Sequence, residues 1–263
     1  MRYLRLLAVQ LRASMQLAMQ YRVDFLIGLV MTVFLTLVNM VPMIVVWHAR
    51  PEGSVIGWSF PEALLVIAWF TLLRGVLEGA VQPSLMAVVE HIRTGTLDYV
   101  LLKPADAQFL VSTQRFEPWR AADVLAAVAM MIWSFHRLQR APALADVATA
   151  LGLTVAAAAL VYAFAILVIS AAFWVVRLDN LIYLFNSIFD AARWPSTVFR
   201  GFWRILFTFV IPLALMTTYP ALALLGKLGG WTTLEALGGA AAFVLFSRLV
   251  WLRAIGHYTS ASS

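Results

Sequence analysis

The stretch FLIGLVMTVFLTLVNMVPMIVVW, from Phe25 to Trp47, contains no charged side chain. A helix needs roughly 20 mostly apolar residues to cross a hydrocarbon core about 30 Å thick, so this stretch predicts a membrane-spanning helix. The composition of the whole chain agrees: 63% of its 263 residues are hydrophobic, only 12% are charged, and the mean hydropathy is +0.88. We therefore expect an all-α integral membrane protein.

Five more apolar stretches predict spans of the same kind. They are continuously apolar and do not alternate with period two, which favours helices over strands. The predicted spans form one transmembrane domain over residues 25–254, followed by a tail at residues 255–263. They cover residues 25–47, 61–81, 121–135, 148–176, 205–225 and 237–252.

The basic residues predict the orientation of the spans. Cytoplasmic connections of membrane proteins retain an excess of lysine and arginine, and most of the 19 basic residues lie in connections on the same side as the amino terminus. Both termini and the long connection between the second and third spans are therefore expected in the cytoplasm. The net charge of +6 then reflects topology, so it does not indicate a nucleic-acid partner.

Residues 1–24 predict a helix that lies in the membrane interface among membrane lipids. Leu4, Leu7, Leu11, Met15 and Ala18 follow helical spacing on one face, while arginines and glutamines occupy the other. We interpret the segment as an interfacial elbow helix before the first span. An ordinary juxtamembrane anchor without a mechanical role fits the same pattern.

A second amphipathic stretch follows the fourth span, where Leu181, Leu184 and Ile188 share one helical face. We expect it to be too short and too polar to span the membrane. Two interpretations remain open: a helix that floats on the inner leaflet, or a surface offered to a cytoplasmic partner. The second interpretation assigns a cytoplasmic contact to Asp190, Arg193, Phe199 and Arg200.

The chain contains none of the common catalytic motifs. It has no G-x-x-x-x-G-K-[ST] phosphate loop, no H-E-x-x-H and no G-x-S-x-G, so we expect neither an ATPase site of its own nor another enzymatic activity. Its four histidines lie in four different segments, and it has no cysteine. These facts argue against a metal site and exclude disulfides.

Two features inside the predicted spans suggest functional hypotheses. Arg74 and Glu78 in the second span are spaced i, i+4 and are expected to form an ion pair; a role in transport or proton relay is the alternative. The fifth span is expected to be bent or broken by its prolines, either to line a substrate path or simply to pack. Its pathway candidates are Pro212, Met216, Thr217, Thr218, Tyr219 and Pro220.

The stretch EHIRTGTLDYVLLKP, from Glu90 to Pro104, lies in the cytoplasmic connection after the second span. It resembles the corresponding segment in membrane subunits of the type-2 ATP-binding-cassette exporter family, where Ile-Arg, Gly-Thr-Leu-Asp and Leu-Leu-Lys/Arg-Pro recur. A second stretch, FRGFWRILFTFVIPLALMTTYPALALLG from Phe199 to Gly226, is similar to a late segment in a bacterial branch of that family.

The resemblance implies the permease subunit of an exporter in the cytoplasmic (inner) membrane of a bacterium. Two such subunits, identical or related, would form the translocation pathway, while separate ATP-binding subunits hold ATP and magnesium. A non-transporting membrane scaffold that anchors a cytoplasmic partner is the alternative. The sequence does not indicate the substrate, because an apolar pathway admits lipids, drugs, peptides or glycolipids.

The family also implies a short coupling helix after the second span, which docks on the ATPase. In this chain the matching residues are Glu90, His91, Ile92, Arg93, Thr94, Gly95, Thr96, Leu97 and Asp98. Ile92 would be the buried contact, Gly95 would permit the turn, and Pro104 would end the unit. The alternative is a solvated loop whose basic residues only set the topology. An external re-entrant hairpin would have to come from residues 212–225, because the connection after them is short.

Overall fold

The computed structural model describes residues 2–49, 54–55, 57–174, 179–207 and 212–257. Its helices are α1 (Arg2–Gln20), α2 (Arg22–His48), α3 (Phe60–Val76), α4 (Gln82–Thr94), α5 (Asp98–Leu101), α6 (Ala107–Ser112), α7 (Ala121–Leu138), α8 (Leu144–Ser170), α9 (Asp179–Asp190), α10 (Phe202–Ile205), α11 (Tyr219–Leu224) and α12 (Gly230–Gly256). A two-residue antiparallel ribbon, β1 (Ser54–Val55) with β2 (Trp58–Ser59), precedes α3. The all-α class is confirmed.

Five helical stretches in the described part of the chain are long and apolar enough to cross a membrane: Arg22–His48, Phe60–Ile92, Pro118–Leu138, Leu144–Phe173 and Gly230–Gly256. They overlap the first, second, third, fourth and sixth predicted spans. The predicted fifth span, residues 205–225, is not one helix. Its described part consists of short pieces, including the apolar stretch Ala214–Leu224, and residues 208–211 lie outside the described residues.

The long helices define two ends of the molecule. At the end that carries the ribbon, which we call the hairpin end, α2 finishes and α3 begins, with the rings of His48 and Phe60 6.2 Å apart. Helix α7 also finishes there, since the Trp133 ring lies 5.8 Å from Phe60. At the opposite end, which we call the Gly95 end, the chain turns between α4 and α5. The pattern of basic residues predicts that the Gly95 end faces the cytoplasm.

Helix α3 is the centre of the bundle. Every residue from Ala63 to Thr71 is buried, as expected for a helix that is apolar on all sides and surrounded by others. Its main neighbour is α7, which approaches closely because Gly75 and Gly79 carry no Cβ. At Leu77–Val81 the helix widens into a π turn and continues as α4. One rod therefore reaches from Phe60 to Thr94.

Helix α9 and the residues after it run antiparallel to α3. The rings of Phe189 and Phe70 are 5.3 Å apart, midway along α3. Further along, the Trp58 indole donates to the Thr197 hydroxyl at 3.0 Å. The chain therefore passes the middle of α3 and reaches the hairpin end.

The expectation that this stretch is too short and too polar to span the membrane stays a prediction, and the stretch is not one of the five long apolar helices. It reaches the hairpin end because it is not helical throughout. After α9 the backbone passes through 3₁₀ turns at Ala191–Arg193 and Ser196–Val198. Trp194 and Pro195 between them are extended, with ψ of 142° and 135°. Extended backbone advances about 3.3 Å per residue, against about 1.5 Å in an α-helix. The side chains of Leu181 and Leu184, on the apolar face that the sequence predicts, lie outside the described part of the structure.

Helix α1 lies along the Gly95 end. The Tyr3 ring packs edge-on against Phe109 with centroids 4.8 Å apart, and the Phe116 N–H donates to the Ser14 hydroxyl at 3.2 Å. Apolar side chains on its other side are exposed, among them Leu4 at 72%. The interfacial position of α1 remains a prediction, and this arrangement is compatible with it.

Candidate functional site

The segment from Glu90 to Asp98 joins the end of α4 to the start of α5. At its centre, Gly95 has a left-handed conformation with φ of +70°. The Gly95 N–H donates to the Ile92 carbonyl at 3.3 Å, and the Thr96 N–H donates to the His91 carbonyl at 2.9 Å. This is the Schellman pattern that closes helices at a glycine. A residue with a Cβ is strained at this φ, so Gly95 permits the sharp turn.

Side-chain hydrogen bonds and burial anchor this turn. His91 Nδ1 and Thr96 Oγ1 are 2.7 Å apart, and the Thr94 hydroxyl donates to the Glu90 carbonyl at 2.8 Å. Leu97, directly after the turn, is only 1% exposed. The segment is therefore fixed to the body of the protein as one unit.

The apolar side chains presented outward at this end belong to α5 and its cap. Tyr99 is 72% exposed and Leu102 is 81% exposed, and their i, i+3 spacing places both on one face of the turn. Ile92, which the sequence suggests as a partner contact, is partly buried against the protein's own core. The side chain of Arg93 lies outside the described structure.

A polar network joins the Gly95 end to α8 and α12. Arg248 on α12 donates to Asp106 Oδ2 and to Gln108 Oε1, each at 2.5 Å. Gln108 Nε2 donates in turn to the Tyr162 hydroxyl on α8 at 2.9 Å. Asp106 also accepts the Phe109 N–H at 3.0 Å and so caps α6. The network therefore ties α6 to two of the long helices.

The Arg248 contact is reflected in the pKa of Asp106, which lies in a connection outside the long helices. Partial burial acts to raise this pKa, but the hydrogen bonds and positive charge of Arg248, with the Phe109 N–H, outweigh burial and lower the pKa below its ordinary value of 3.8. The carboxylate therefore stays ionised and paired through the neutral range.

The predicted pair of Arg74 and Glu78 is present and belongs to a larger cluster. Arg74 Nε donates to Glu78 Oε1 at 2.8 Å. The second oxygen of Glu78 pairs with Arg120, which also lies 3.5 Å from Asp123 Oδ2. Asp123 is 1% exposed, and its Oδ1 accepts a hydrogen bond from the Thr36 hydroxyl at 2.9 Å. The cluster therefore links α2, α3 and α7.

The charged cluster lies where α3 widens into its π turn. The Gly79 carbonyl in that turn accepts the Glu117 N–H at 2.8 Å. A Cβ on Gly79 would lie 2.9 Å from Arg120 Cβ, and one on Gly75 would lie 2.9 Å from Asp123 Cβ. π turns are rare and frequent at functional sites. The contacts support the ion-pair interpretation of Arg74 and Glu78.

The pathway candidates of the broken fifth span are mostly buried. Met216, Thr217 and Thr218 are at most 1% exposed. Thr217 Oγ1 donates to the Ala192 carbonyl at 2.7 Å, and the Ser196 N–H donates to the Thr218 hydroxyl at 3.0 Å. These threonines satisfy backbone groups of the irregular stretch after α9. Of the remaining candidates, Pro220 is buried, while Pro212 and Tyr219 line a cavity of about 210 Å³ against α12.

Asp190 and Arg193 lie midway along the bundle. Arg193 NH2 is 3.1 Å from Asp190 Oδ1, and its NH1 donates to Asn39 Oδ1 on α2 at 3.2 Å. The Arg193 guanidinium lies over the Phe70 ring, 5.6 Å from its centroid. Asn39 and Phe70 are each about 15 Å from the hairpin ends of their helices at 1.5 Å per residue. The pair therefore lies away from the Gly95 end, and its predicted cytoplasmic contact stays a prediction.

The other two residues of that hypothesis also lie away from the Gly95 end. Phe199 and Arg200 follow Thr197, which contacts Trp58 at the hairpin end. Phe199 packs against the core, with its ring 4.8 Å from that of Phe207, and Arg200 is exposed.

Sequence reasoning missed the partners that complete these clusters. Arg120 and Arg248 count in the sequence only as markers of topology, and Asp106 and Asp123 suggest no role there. The usable signal was a charge inside a predicted span, such as Asp123 in the third or Arg248 in the sixth, because a charge at that depth needs a partner.

These features define a multi-pass helical membrane protein. The described residues contain no group of three or more His, Cys, Asp or Glu side chains that could hold a metal ion. A family model described as "ABC-2 family transporter protein" matches residues 29–262. The chain therefore belongs to this family of transmembrane components of ABC transporters, in which a partner binds ATP. Searches among curated proteins and among solved structures found no match.

Proposed function

We propose that this protein is the permease subunit of a bacterial inner-membrane ABC exporter, and that its Gly95 end docks on a separate ATP-binding subunit. The observation that carries the proposal is the family match together with an anchored turn that exposes Tyr99 and Leu102. ATP and Mg²⁺ belong to the partner, and the permease needs no cofactor of its own.

The docking surface is the outer face of α5. Large apolar side chains that stand together in solvent mark interaction sites, and the cytoplasmic orientation proposed for this end leaves no lipid to cover Tyr99 and Leu102. The exposed Lys103 follows directly. A partner with an apolar pocket and an acidic rim fits this surface.

Two routes pass a displacement of α5 into the membrane. The Gly95 turn joins α5 to α4, and α4 is continuous with α3 through the π turn. The second route runs through Asp106 and Arg248 into α12. Closure of the ATPase dimer would therefore move central and peripheral helices together, as a change between inward and outward access requires.

The polar part of the pathway is proposed to be Asn39, Asp190 and Arg193. The Asp190 side chain is 48% exposed, and ionisable groups at mid-bundle depth face a water-filled cavity or a protein partner. Helix α2 beside them is buried at few positions. A second permease, identical or related, placed against α2 and α9 would enclose these residues in a shared pathway.

The test is co-expression with an ATP-binding subunit, followed by co-purification and measurement of ATPase activity in vesicles. We expect Leu102→Ser to weaken co-purification about tenfold, since a central apolar contact contributes more than 1 kcal/mol. The matched control is Leu144→Ser, because Leu144 is 89% exposed at the hairpin end.

Equal retention of the partner by both leucine variants would contradict docking at α5. A scaffold differs from a permease in a second readout of the same preparation. A scaffold retains the partner without changing its turnover, whereas the permease changes the ATPase rate once the complex is in vesicles.

A further inference from the structure

A cleft of about 690 Å³ opens beside the charged cluster, on the side of the Gly95 end. Helices α1, α4 and α9 and the segment before α7 form its walls, and its volume is within the roughly 300–1,000 Å³ of known ligand sites. The lining residues used below are Leu17, Met86, Arg115, Glu117 and Arg120.

The cleft lies at the depth of lipid headgroups. Glu78, on its wall, is about 27 Å along the helix from Phe60 at 1.5 Å per residue, and the hydrocarbon core is about 30 Å thick. Helix α7 gives the same depth independently, because Arg120 immediately precedes its first residue and the helix ends at the hairpin end. Helix α1, the predicted interfacial helix, contributes Ser14 and Leu17 to the same cleft.

The lining combines a cation with an apolar wall. Arg74 and Arg120 pair with Glu78, whereas Arg115 is exposed and has no ion-pair partner among the described residues. The Arg115 backbone is held in place, since its N–H donates to the Ser84 hydroxyl at 3.0 Å and its carbonyl accepts from that hydroxyl at 2.7 Å. Leu17 and Met86, which are 59% and 42% exposed, offer apolar surface beside it.

Glu117 is the carboxylate that could repel an anion here. It lies just outside the third long helix, where burial raises its pKa; Arg120 acts in the opposite direction, and Glu78 adds to the rise. Three arginines face two carboxylates in the lining, so positive charge outweighs negative charge in the cleft.

We propose that this cleft binds the phosphodiester headgroup of an anionic phospholipid, with Arg115 as the phosphate ligand and the acyl chains against Leu17 and Met86. The assignment to the inner leaflet rests on the orientation in the proposed function. The bound lipid would brace α1 against α4 beside the turn that docks the ATPase.

The test is native mass spectrometry of the purified protein titrated with phosphatidylglycerol. We expect Arg115→Gln to bind this lipid about tenfold more weakly, because a charge-assisted bond is lost. The control is Arg12→Gln, which removes an exposed arginine of α1 that does not line the cleft, and it should bind like the wild type. Met86→Glu, which places a negative charge on the apolar wall, should also weaken binding, and thermal melting confirms that each variant is folded.

Three results would overturn the proposal: unchanged binding by Arg115→Gln, an equal loss with Arg12→Gln, or inorganic phosphate bound as tightly as the lipid. Phosphatidylethanolamine bound as tightly as phosphatidylglycerol would overturn the assignment to an anionic headgroup. The measurement uses no ATP-binding subunit, so its failure leaves the docking proposal intact.

Discussion

Two segments run through the depth of this bundle in different ways. The rod of α3, its π turn and α4 is helical from Phe60 to Thr94 and is buried along its middle. The stretch from Asp179 to Val198 covers most of that depth with one helix, two 3₁₀ turns and an extended step at Pro195.

The two segments differ in what satisfies their backbone. A continuous helix closes its hydrogen bonds internally, whereas the irregular stretch depends on Thr217 and Thr218 from a distant part of the chain. Irregular backbone at membrane depth is tolerated where protein surrounds it. The comparison shows that a segment at this depth need not be a long apolar helix.

The largest expected effect contrasts a proline placed in the rod with the one native to the irregular stretch. Ala68→Pro removes a hydrogen bond from the interior of α3 and clashes with the preceding turn, which costs about 3 kcal/mol or more. We expect little folded protein after detergent extraction. Pro195→Ala should cost only about 1 kcal/mol in detergent unfolding, because alanine also adopts φ of −53° and ψ of 135°. If both variants lose the same unfolding free energy, the irregular stretch tolerates a change of backbone no better than the rod does.

The next effect concerns the threonine that supports the irregular stretch. Thr217→Val leaves the Ala192 carbonyl buried without its donor, so we expect a loss of about 1–3 kcal/mol in unfolding free energy. Thr154→Val is the control, since the Thr154 hydroxyl only donates to the Ala150 carbonyl of its own helix; its cost should be about 0.5 kcal/mol. Equal costs would show that the Thr217 hydrogen bond does not stabilise the stretch.

Close packing of the rod against α7 predicts a comparable effect. Gly79→Ala forces a Cβ to within 2.9 Å of Arg120 Cβ, and overpacking of this kind costs about 1–3 kcal/mol. Gly239→Ala on α12 meets nothing within 4 Å and should be neutral or stabilise the helix by up to about 1 kcal/mol. Thermal melting in detergent compares them, and a Gly79→Ala protein as stable as the Gly239→Ala protein would contradict this packing.

The smallest effect concerns the link from the Gly95 end to α12. The Asp106–Arg248 pair is about one third exposed, so Asp106→Asn should cost only about 1 kcal/mol or less. Because the pKa of Asp106 is lowered on folding, its stabilisation is complete above its ordinary value and is lost as the pH falls through the lowered value. The difference in melting temperature between wild type and variant should therefore be constant from pH 7 to about pH 5 and shrink below 3.8. A melting-temperature difference that grows as the pH falls would contradict a stabilising Asp106–Arg248 pair.

The uniform elements could be predicted from the sequence, because twenty apolar residues in a row have few alternatives in a bilayer. Helix α2 and the α3 part of the rod are of this kind. The Gly95 turn was implied only by the family resemblance, and its Schellman pattern explains why a glycine stands there. The Arg74–Glu78 pair could also be predicted, since i, i+4 spacing brings the two side chains together.

What could not be predicted depends on contacts between distant parts of the chain. No local pattern in residues 179–198 reveals that Thr217 and Thr218 will support an irregular backbone. Hydropathy alone therefore does not identify this stretch as a segment that passes through the bundle. From the sequence, Arg120 is likewise only a marker of topology. Its pairing with Glu78 depends on the packing of α7 against Gly79. The exposure of Tyr99 and Leu102 follows from the burial of Leu97 and Val100 beside them.

The most direct measurement asks which side of the membrane each part of the chain reaches, and the absence of native cysteine makes single-cysteine labelling clean. A membrane-impermeant maleimide on intact cells should label Thr197→Cys, at the hairpin end, but should label Tyr99→Cys only after permeabilisation. Trp231→Cys, 75% exposed at the start of α12, is the outside control. Protection of Thr197→Cys in intact cells while Trp231→Cys is labelled would contradict the crossing by residues 179–198. Labelling of Tyr99→Cys in intact cells would contradict a cytoplasmic docking surface on α5.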